Sequence, residues 1–161
     1  MSGPTDPDLN PPPRGAGPLP DLARVVRFYE TLSPESLATM GDIYVPDARF
    51  KDPFNEVQGL AAIEAIFSHM YRQVHAPRFC VTGRMGAEDE AWLAWEFSFR
   101  FRGWKESETQ LIRGATHLRF AADGRIAEHR DYWDSGEELF AKLPLLGGLM
   151  RFLRRRLAAG A

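Results

Sequence analysis

The carboxylate of Asp52 ends the run Ala48-Arg49-Phe50-Lys51-Asp52 and stands immediately before Pro53. Proline disfavours helical geometry in the residue before it and starts a turn, so Asp52 is delivered on extended backbone at a strand end. Phe50 and Phe54 flank it, and apolar surroundings raise the cost of its charge. That is one way a weak carboxylate becomes a general base. The same placement also suits a turn residue whose side chain bonds the following backbone. A second titratable group lies in Glu128-His129-Arg130-Asp131-Tyr132-Trp133-Asp134. On a strand, alternation puts His129, Asp131 and Trp133 on one side and Glu128, Arg130, Tyr132 and Asp134 on the other. A pocket holding Asp52, Asp131 and His129 could separate an acid from a base by environment. The structural alternatives are an ion pair with a neighbouring arginine for Asp131 and a plain wall residue for His129.

Other chemistries find no support in the sequence. His69 and His75 are separated by six residues, which matches neither a helical i, i+4 pair nor a cysteine-containing zinc pattern, so no metal is expected. Neither a phosphate-cradling glycine loop nor a G-x-S-x-G elbow occurs, so neither a cofactor nor covalent acyl chemistry is expected. The single Cys80 lies in a strand-like apolar run and reads as a small core residue in a reducing compartment.

The elements that must position these groups follow from patterning. The chain has 161 residues, 44% apolar, with 20 Lys and Arg against 22 Asp and Glu and a net charge of −2. That is enough for one domain with a core and offers no overall attraction for nucleic acid. Residues 1 to 20 are rich in proline and glycine and read as a disordered tail. Asp21 caps a helix to about Thr31 whose buried stripe is Leu22, Val25, Val26 and Tyr29. Ser33, Pro34 and Glu35 start a second helix with Leu37, Met40, Ile43 and Tyr44 buried, ending before Pro46. A short strand spans 48 to 52, and Leu60, Ile63, Ile66, Phe67 and Met70 mark a third helix after Gly59. From Pro77 the period becomes two, predicting strands at about 78–86, 90–102, 108–121 and 125–134. In the second of these Leu93, Trp95, Phe97, Phe99 and Phe101 form an inward aromatic row. Helices followed by antiparallel strands make the class α+β.

Three segments carry a resemblance: DARFKDPF with the following Gly59, WLAWEFSFRFRG, and GATHLRFAADGRIAEHRDYWD. Over roughly Leu22 to Leu143 the chain resembles the nuclear transport factor 2-like and SnoaL-like superfamily, and Arg27 to Asp52 is similar to ketosteroid isomerases. The resemblance implies a cone-shaped, cystatin-like domain at 21–143, with three N-terminal helices on a curved, mostly antiparallel sheet around an apolar pocket. It implies Asp52 as catalytic base and brings the positions of His129 and Trp133 into the pocket. It also places His117 outside, where parity sets it opposite Thr116. RDYWD resembles the RDYFD of limonene epoxide hydrolases, in which an aspartate of the string helps activate water, so Asp131 is its counterpart. Phe28 and Thr116 stand at the positions of the isomerases' oxyanion donors. Both strong donors are absent, which weakens efficient steroid isomerisation. Tyr29 lies about 100° away around the helix, so its entry would need a helix rotation. The hydrolases' Arg-x-Asp pair likewise finds no equivalent in WEFSFRF.

The expected function is binding of a small hydrophobic carbonyl, steroid-like, polyketide-like or terpenoid molecule. Proton transfer or water activation would run through Asp52, Asp131 and His129, and the ligand would contact Phe28, Phe54, Trp95, Phe97, Phe99, Thr116 and Trp133. The alternative is a non-catalytic ligand-binding or dimeric interaction module that has lost the donors. The mixed outer face of the sheet suits a homodimer, as in domains of this resemblance. Residues 144–161 form a basic amphipathic helix with Arg151, Arg154, Arg155 and Arg156 that closes the cone, packs on a partner or contacts a membrane surface. No apolar run approaches the roughly 18 residues of a membrane span, and a cytoplasmic location is expected.

Overall fold

The computed structural model describes residues 21–87, 89–103 and 105–140, together with Gly148 and Phe152. Helix α1, Leu22–Glu30, starts where the Asp21 carboxylate accepts from the Arg24 amide at 3.0 Å, satisfying one of the amides a helix start leaves open. It buries Val25, Phe28 and Tyr29 and packs on the sheet. The next segment, Glu35–Asp42, is a 3₁₀ helix and not the expected α-helix. Ser36 and Thr39 donate their hydroxyls to the carbonyls of Ser33 and Ser36, three residues back, at 3.0 and 2.8 Å. Such local side-chain bonds favour short tight turns over a continuing α-helix.

Strand β1, Tyr44–Lys51, begins four residues earlier than the sequence predicts and runs through Pro46. Proline cannot donate to a ladder, but the register of β1 shifts between Tyr44 and Arg49, so Pro46 falls in the irregular stretch. Strand β2, Glu56–Gln58, is a short partner of β1 that the pattern does not reveal. Helix α2, Leu60–Gln73, follows Gly59, whose φ of 98° lies where a side chain would be strained. Strands β3 (Val74–Ala87), β4 (Glu90–Phe101), β5 (Gln110–Phe120) and β6 (Ile126–Tyr132) complete the sheet, with a short α3 at Ser135–Glu138.

The sheet order is β2-β1-β6-β5-β4-β3. All neighbours are antiparallel except β1 and β6, so the curved sheet is mixed. The parallel pair sets Phe50 beside His129, and β5–β6 pairing sets Thr116 beside Asp131. Alternation along β4 buries Leu93, Trp95 and Phe99 and exposes Trp92, Ala94 and Arg100. Helices α1 and α2 and the 3₁₀ segment cover the buried face. The core runs between them and includes Met40, Tyr44, Ile63, Leu93, Leu118 and Ile126, each at most 2% exposed.

Cys80 is exposed, not a core residue. Strand β3 is at the sheet edge, and its alternation turns Phe79 and Val81 toward the core and Cys80 away from it. Among the described residues no helix is long and apolar enough to cross a membrane. The expected C-terminal helix at 144–161 and the tail at 1–20 lie outside the described residues, save for Gly148 and Phe152, which are helical and exposed.

Candidate functional site

A cavity of about 220 Å³ opens between the buried face of the sheet and α2. Its walls are mostly apolar: Phe50 and Phe67, Phe79, Phe97 and Trp95, and Trp133 with Phe54 at one rim. Phe79 stacks on Phe97 with centroids 4.4 Å apart and meets Trp95 edge-on at 5.8 Å. Phe54 is half-exposed and meets Trp133 edge-on at 5.4 Å.

Into this apolar space projects one connected polar cluster. His129 is buried, and its Nε2 lies 2.8 Å from Asp131 Oδ1. A carboxylate offers no proton, so Nε2–H donates and fixes the tautomer. Nδ1 is then an acceptor in the neutral ring, and two phenols reach it, Tyr44 at 2.8 Å and Tyr29 at 2.9 Å. The two hydroxyls also bond each other. On the far side Thr116 donates its hydroxyl to Asp131 Oδ1 and accepts from the Trp95 indole at 2.8 Å. The chain of bonds is thus Tyr44, Tyr29, His129, Asp131, Thr116, Trp95. Among the described residues both bonds to Asp131 fall on Oδ1, and none falls on Oδ2. Oδ2 is therefore the oxygen left for a bound molecule, on a side chain that lines the cavity.

Burial pushes the Tyr29 phenol well up, with Tyr44 and the Asp131 charge adding to it. Tyr44 is raised too, by burial first and then by Asp131, against an opposing bond from Tyr29. Both are therefore neutral O–H donors. A folded-state value above the unfolded one means stability that is complete below about pH 10 and declines as pH rises further, by about 1.4 kcal/mol per pH unit for each phenol. Urea midpoints at pH 8, 10 and 11 should show this decline, and Tyr44→Phe should flatten it. A midpoint independent of pH across that range would contradict the buried, neutral phenols.

Gly114 makes the Trp95 bond possible. It faces Trp95 across the β4–β5 pair, and a Cβ at Gly114 would lie 2.5 Å from Trp95 Cη2 and Cζ2. Without that Cβ the indole lies across β5 and reaches Thr116 in the same strand. Gly114→Ala is expected to displace the ring, cost about 1–3 kcal/mol and shift tryptophan emission. An unchanged spectrum would show that the ring tolerates the methyl group.

The sequence-derived candidates divide as follows. His129, Asp131, Thr116, Trp95, Phe97, Trp133, Phe54 and Asp52 all line the cavity. Phe99 does not; it is buried beside Phe97, one step along the aromatic row. Phe28 is also a core residue and does not line the cavity, whereas the neighbouring Tyr29 does. No helix rotation is needed, because α1 buries Phe28 and Tyr29 together. Asp52 sits at the rim with its carboxylate turned onto its own turn. Oδ1 accepts from the amides of Phe54 at 2.7 Å and Asn55 at 2.6 Å, and the Asn55 side-chain amide lies 2.9 Å from Oδ2. This is the turn-capping arrangement. Outside the cavity, His117 stacks on Trp92 at 4.6 Å and bonds Glu90 at 3.0 Å.

The residues the sequence did not reveal as functional are Tyr29 and Tyr44. Both were legible as buried, but what joins them is β1 entering the sheet beside β6 at Tyr44. His69, Asn55 and Gln73 add polar atoms to the lining. Among the described residues no group of three or more His, Cys, Asp or Glu could hold a metal ion.

Comparison with known proteins agrees with this architecture. A protein of ketosteroid isomerase-like fold from Catenulispora acidiphila, solved in complex with trimethylamine, superposes with a TM-score of 0.64 at 16% identity, covering 76% of this chain and 92% of that one. A nuclear transport factor 2-like protein of unknown function from Exiguobacterium superposes at 0.59 with 14% identity, covering 70% and 97%. A candidate isomerase of the SnoaL-like family from Agrobacterium tumefaciens superposes at 0.58 with 16% identity, covering 70% and 93%. No protein of curated function matches the chain. The model of the SnoaL-like domain matches residues 25–129, most of the chain and nearly every element that lines the cavity, and the chain belongs to the SnoaL-like domain family.

Proposed function

We propose that the cavity binds a small hydrophobic carbonyl compound, steroid-like, polyketide-like or terpenoid, and transfers a proton on it, with Asp131 as base and Tyr29 as the donor to the carbonyl oxygen. The observation that carries this is a carboxylate and a neutral phenol lining one apolar cavity and joined through a single imidazole. Oδ2 of Asp131 takes the proton from the carbon beside the carbonyl, and the electron pair moves onto the carbonyl oxygen. Tyr29 turns its single proton from His129 to that oxygen, while Tyr44 keeps donating to His129 Nδ1. In a β,γ-unsaturated substrate, return of the proton to the γ-carbon shifts the double bond and gives the conjugated isomer. His129 holds Asp131 Oδ1 on one side and Tyr44 on the other, so it positions the base and the phenol packed beside Tyr29.

This reading moves the base from Asp52 to Asp131. Asp52 Oδ1 accepts from two backbone amides and Oδ2 from the Asn55 side chain, which leaves little for substrate. The test is hydrogen–deuterium exchange of β-tetralone in D₂O followed by NMR. The protein should accelerate exchange, and Asp52→Asn should retain most of that acceleration. Loss of the acceleration on Asp52→Asn alone would return the role of base to Asp52.

A second reading is a non-catalytic ligand-binding or dimeric module. It is favoured by the polar cluster's being bonded internally, with no buried polar side-chain atom lacking a partner among the described residues. In this reading Trp92 and Tyr132, stacked at 5.6 Å on the outer face of the sheet and both exposed, meet a second copy. Ligand binding without any exchange would support the module. A monomer by sedimentation would contradict its dimeric form.

A further inference from the structure

The cavity is charged in one sense. Two carboxylates, Asp52 and Asp131, line it, and among the described residues no lysine or arginine does. The Asp52 charge is met by N–H groups of its own turn. Asp131 is met by the His129 Nε2–H and the Thr116 hydroxyl, both on Oδ1. A carboxylate beside an apolar space gains from a cation placed there and repels an anion. The walls act in the same direction. Trp95, Trp133, Phe79 and Phe97 line the space, and aromatic faces attract ammonium groups, most strongly where water is excluded.

We infer that the cavity also takes a protonated tertiary amine, its one N–H donating to Asp131 Oδ2 and its N-alkyl groups lying against the aromatic walls. The number of N–H groups selects the amine. A primary ammonium brings three donors, each stripped of water on entry, to a cavity in which Asp131 Oδ2 is the carboxylate oxygen without a partner among the described residues. A quaternary ammonium has no N–H to donate. A tertiary amine has one donor for one acceptor, and its remaining surface is apolar. The inference rests on the reading of the cavity as a ligand site and is independent of catalysis. Because the amine uses the same oxygen as the proposed base, it would compete with a carbonyl substrate.

Three probes of one shape test it: N,N-dimethylbenzylamine, isobutylbenzene and phenylacetate, each a benzyl group ending in a two-branched atom that is cationic, neutral or anionic. The full chain is titrated at pH 7 and followed by tryptophan fluorescence. The amine should bind at least about tenfold more tightly than the hydrocarbon, and phenylacetate should not saturate. Asp131→Asn should weaken the amine about tenfold and leave the hydrocarbon unchanged, while Asp52→Asn should affect neither. Loss of amine affinity on Asp52→Asn alone would overturn the assignment to Asp131. A hydrocarbon bound as tightly as the amine in the unaltered protein would overturn the amine inference and leave the ligand site standing. If none of the three binds, the ligand site falls as well.

Discussion

Asp131→Asn is expected to lower the acceleration of β-tetralone exchange by about 10²–10⁴-fold, the range contributed by a positioned general base. The amide keeps the size of the carboxylate, and its oxygen can still accept from Thr116 and His129, so the cluster should remain assembled. What it loses is the basic oxygen Oδ2. The companion change, Tyr29→Phe, removes the hydroxyl that bonds Tyr44 and His129 and should cost about 10²–10³-fold, as the loss of one donor to a developing oxyanion does. The two losses should be less than additive if the groups act on one transition state. Asp131→Asn with undiminished exchange would exclude this carboxylate from the reaction.

His129→Ala should have the largest effect on stability. The ring is the hub of the cluster: it bonds Tyr29, Tyr44 and Asp131 and packs on Phe50 at 4.7 Å. Removing it leaves a carboxylate short of one donor and two buried phenols sharing only each other. Leaving a buried polar group without its hydrogen-bond partner costs about 1–3 kcal/mol, more where the group is charged, and the cavity left by the ring adds to that. Urea unfolding should register the loss as a lower midpoint. A change under about 1 kcal/mol would mean that water replaces the ring without cost and that the cluster is not part of what holds the core together.

Much of the architecture was legible in the residues because strand parity is a strict rule. Alternation gave the aromatic row of β4 and set His129, Asp131 and Trp133 apart from their neighbours, the family resemblance marked that set as the inward one, and Trp92, Arg130 and Tyr132 are exposed on the other side. The C-terminal half could be read that way because an inward residue and its neighbour differ by half a turn. Helix α1 was harder, since one residue is only about 100° of rotation. The resemblance over Arg27 to Asp52 points to Phe28, whereas the stripe Leu22, Val25, Val26 and Tyr29 points to Tyr29. The stripe was the better guide, because α1 is wedged deeply enough to bury both.

Tyr44 illustrates what periodicity cannot supply. Leu37, Met40, Ile43 and Tyr44 are buried, and Leu37 and Met40 lie in the helical segment as the pattern has it, but Tyr44 belongs to β1. Pro46 suggested an end to a helix, yet in the fold it sits at a register shift inside β1. The parallel pairing of β1 with β6 brings Tyr44 toward His129 across 85 residues, and no local signal encodes such a pairing. Asp52 shows a third limit. Asp-Pro was consistent with a base and with a turn cap, and only the distances to the Phe54 and Asn55 amides describe how its oxygens are used.

The most direct measurement is a crystal structure of the protein soaked with β-tetralone. The ketone should lie inside the aromatic walls, its oxygen within hydrogen-bonding distance of the Tyr29 hydroxyl and its acidic carbon beside Asp131 Oδ2. A ketone whose oxygen points to Asn55 with its acidic carbon at Asp52, or a ketone bound only outside the cavity, would contradict that placement.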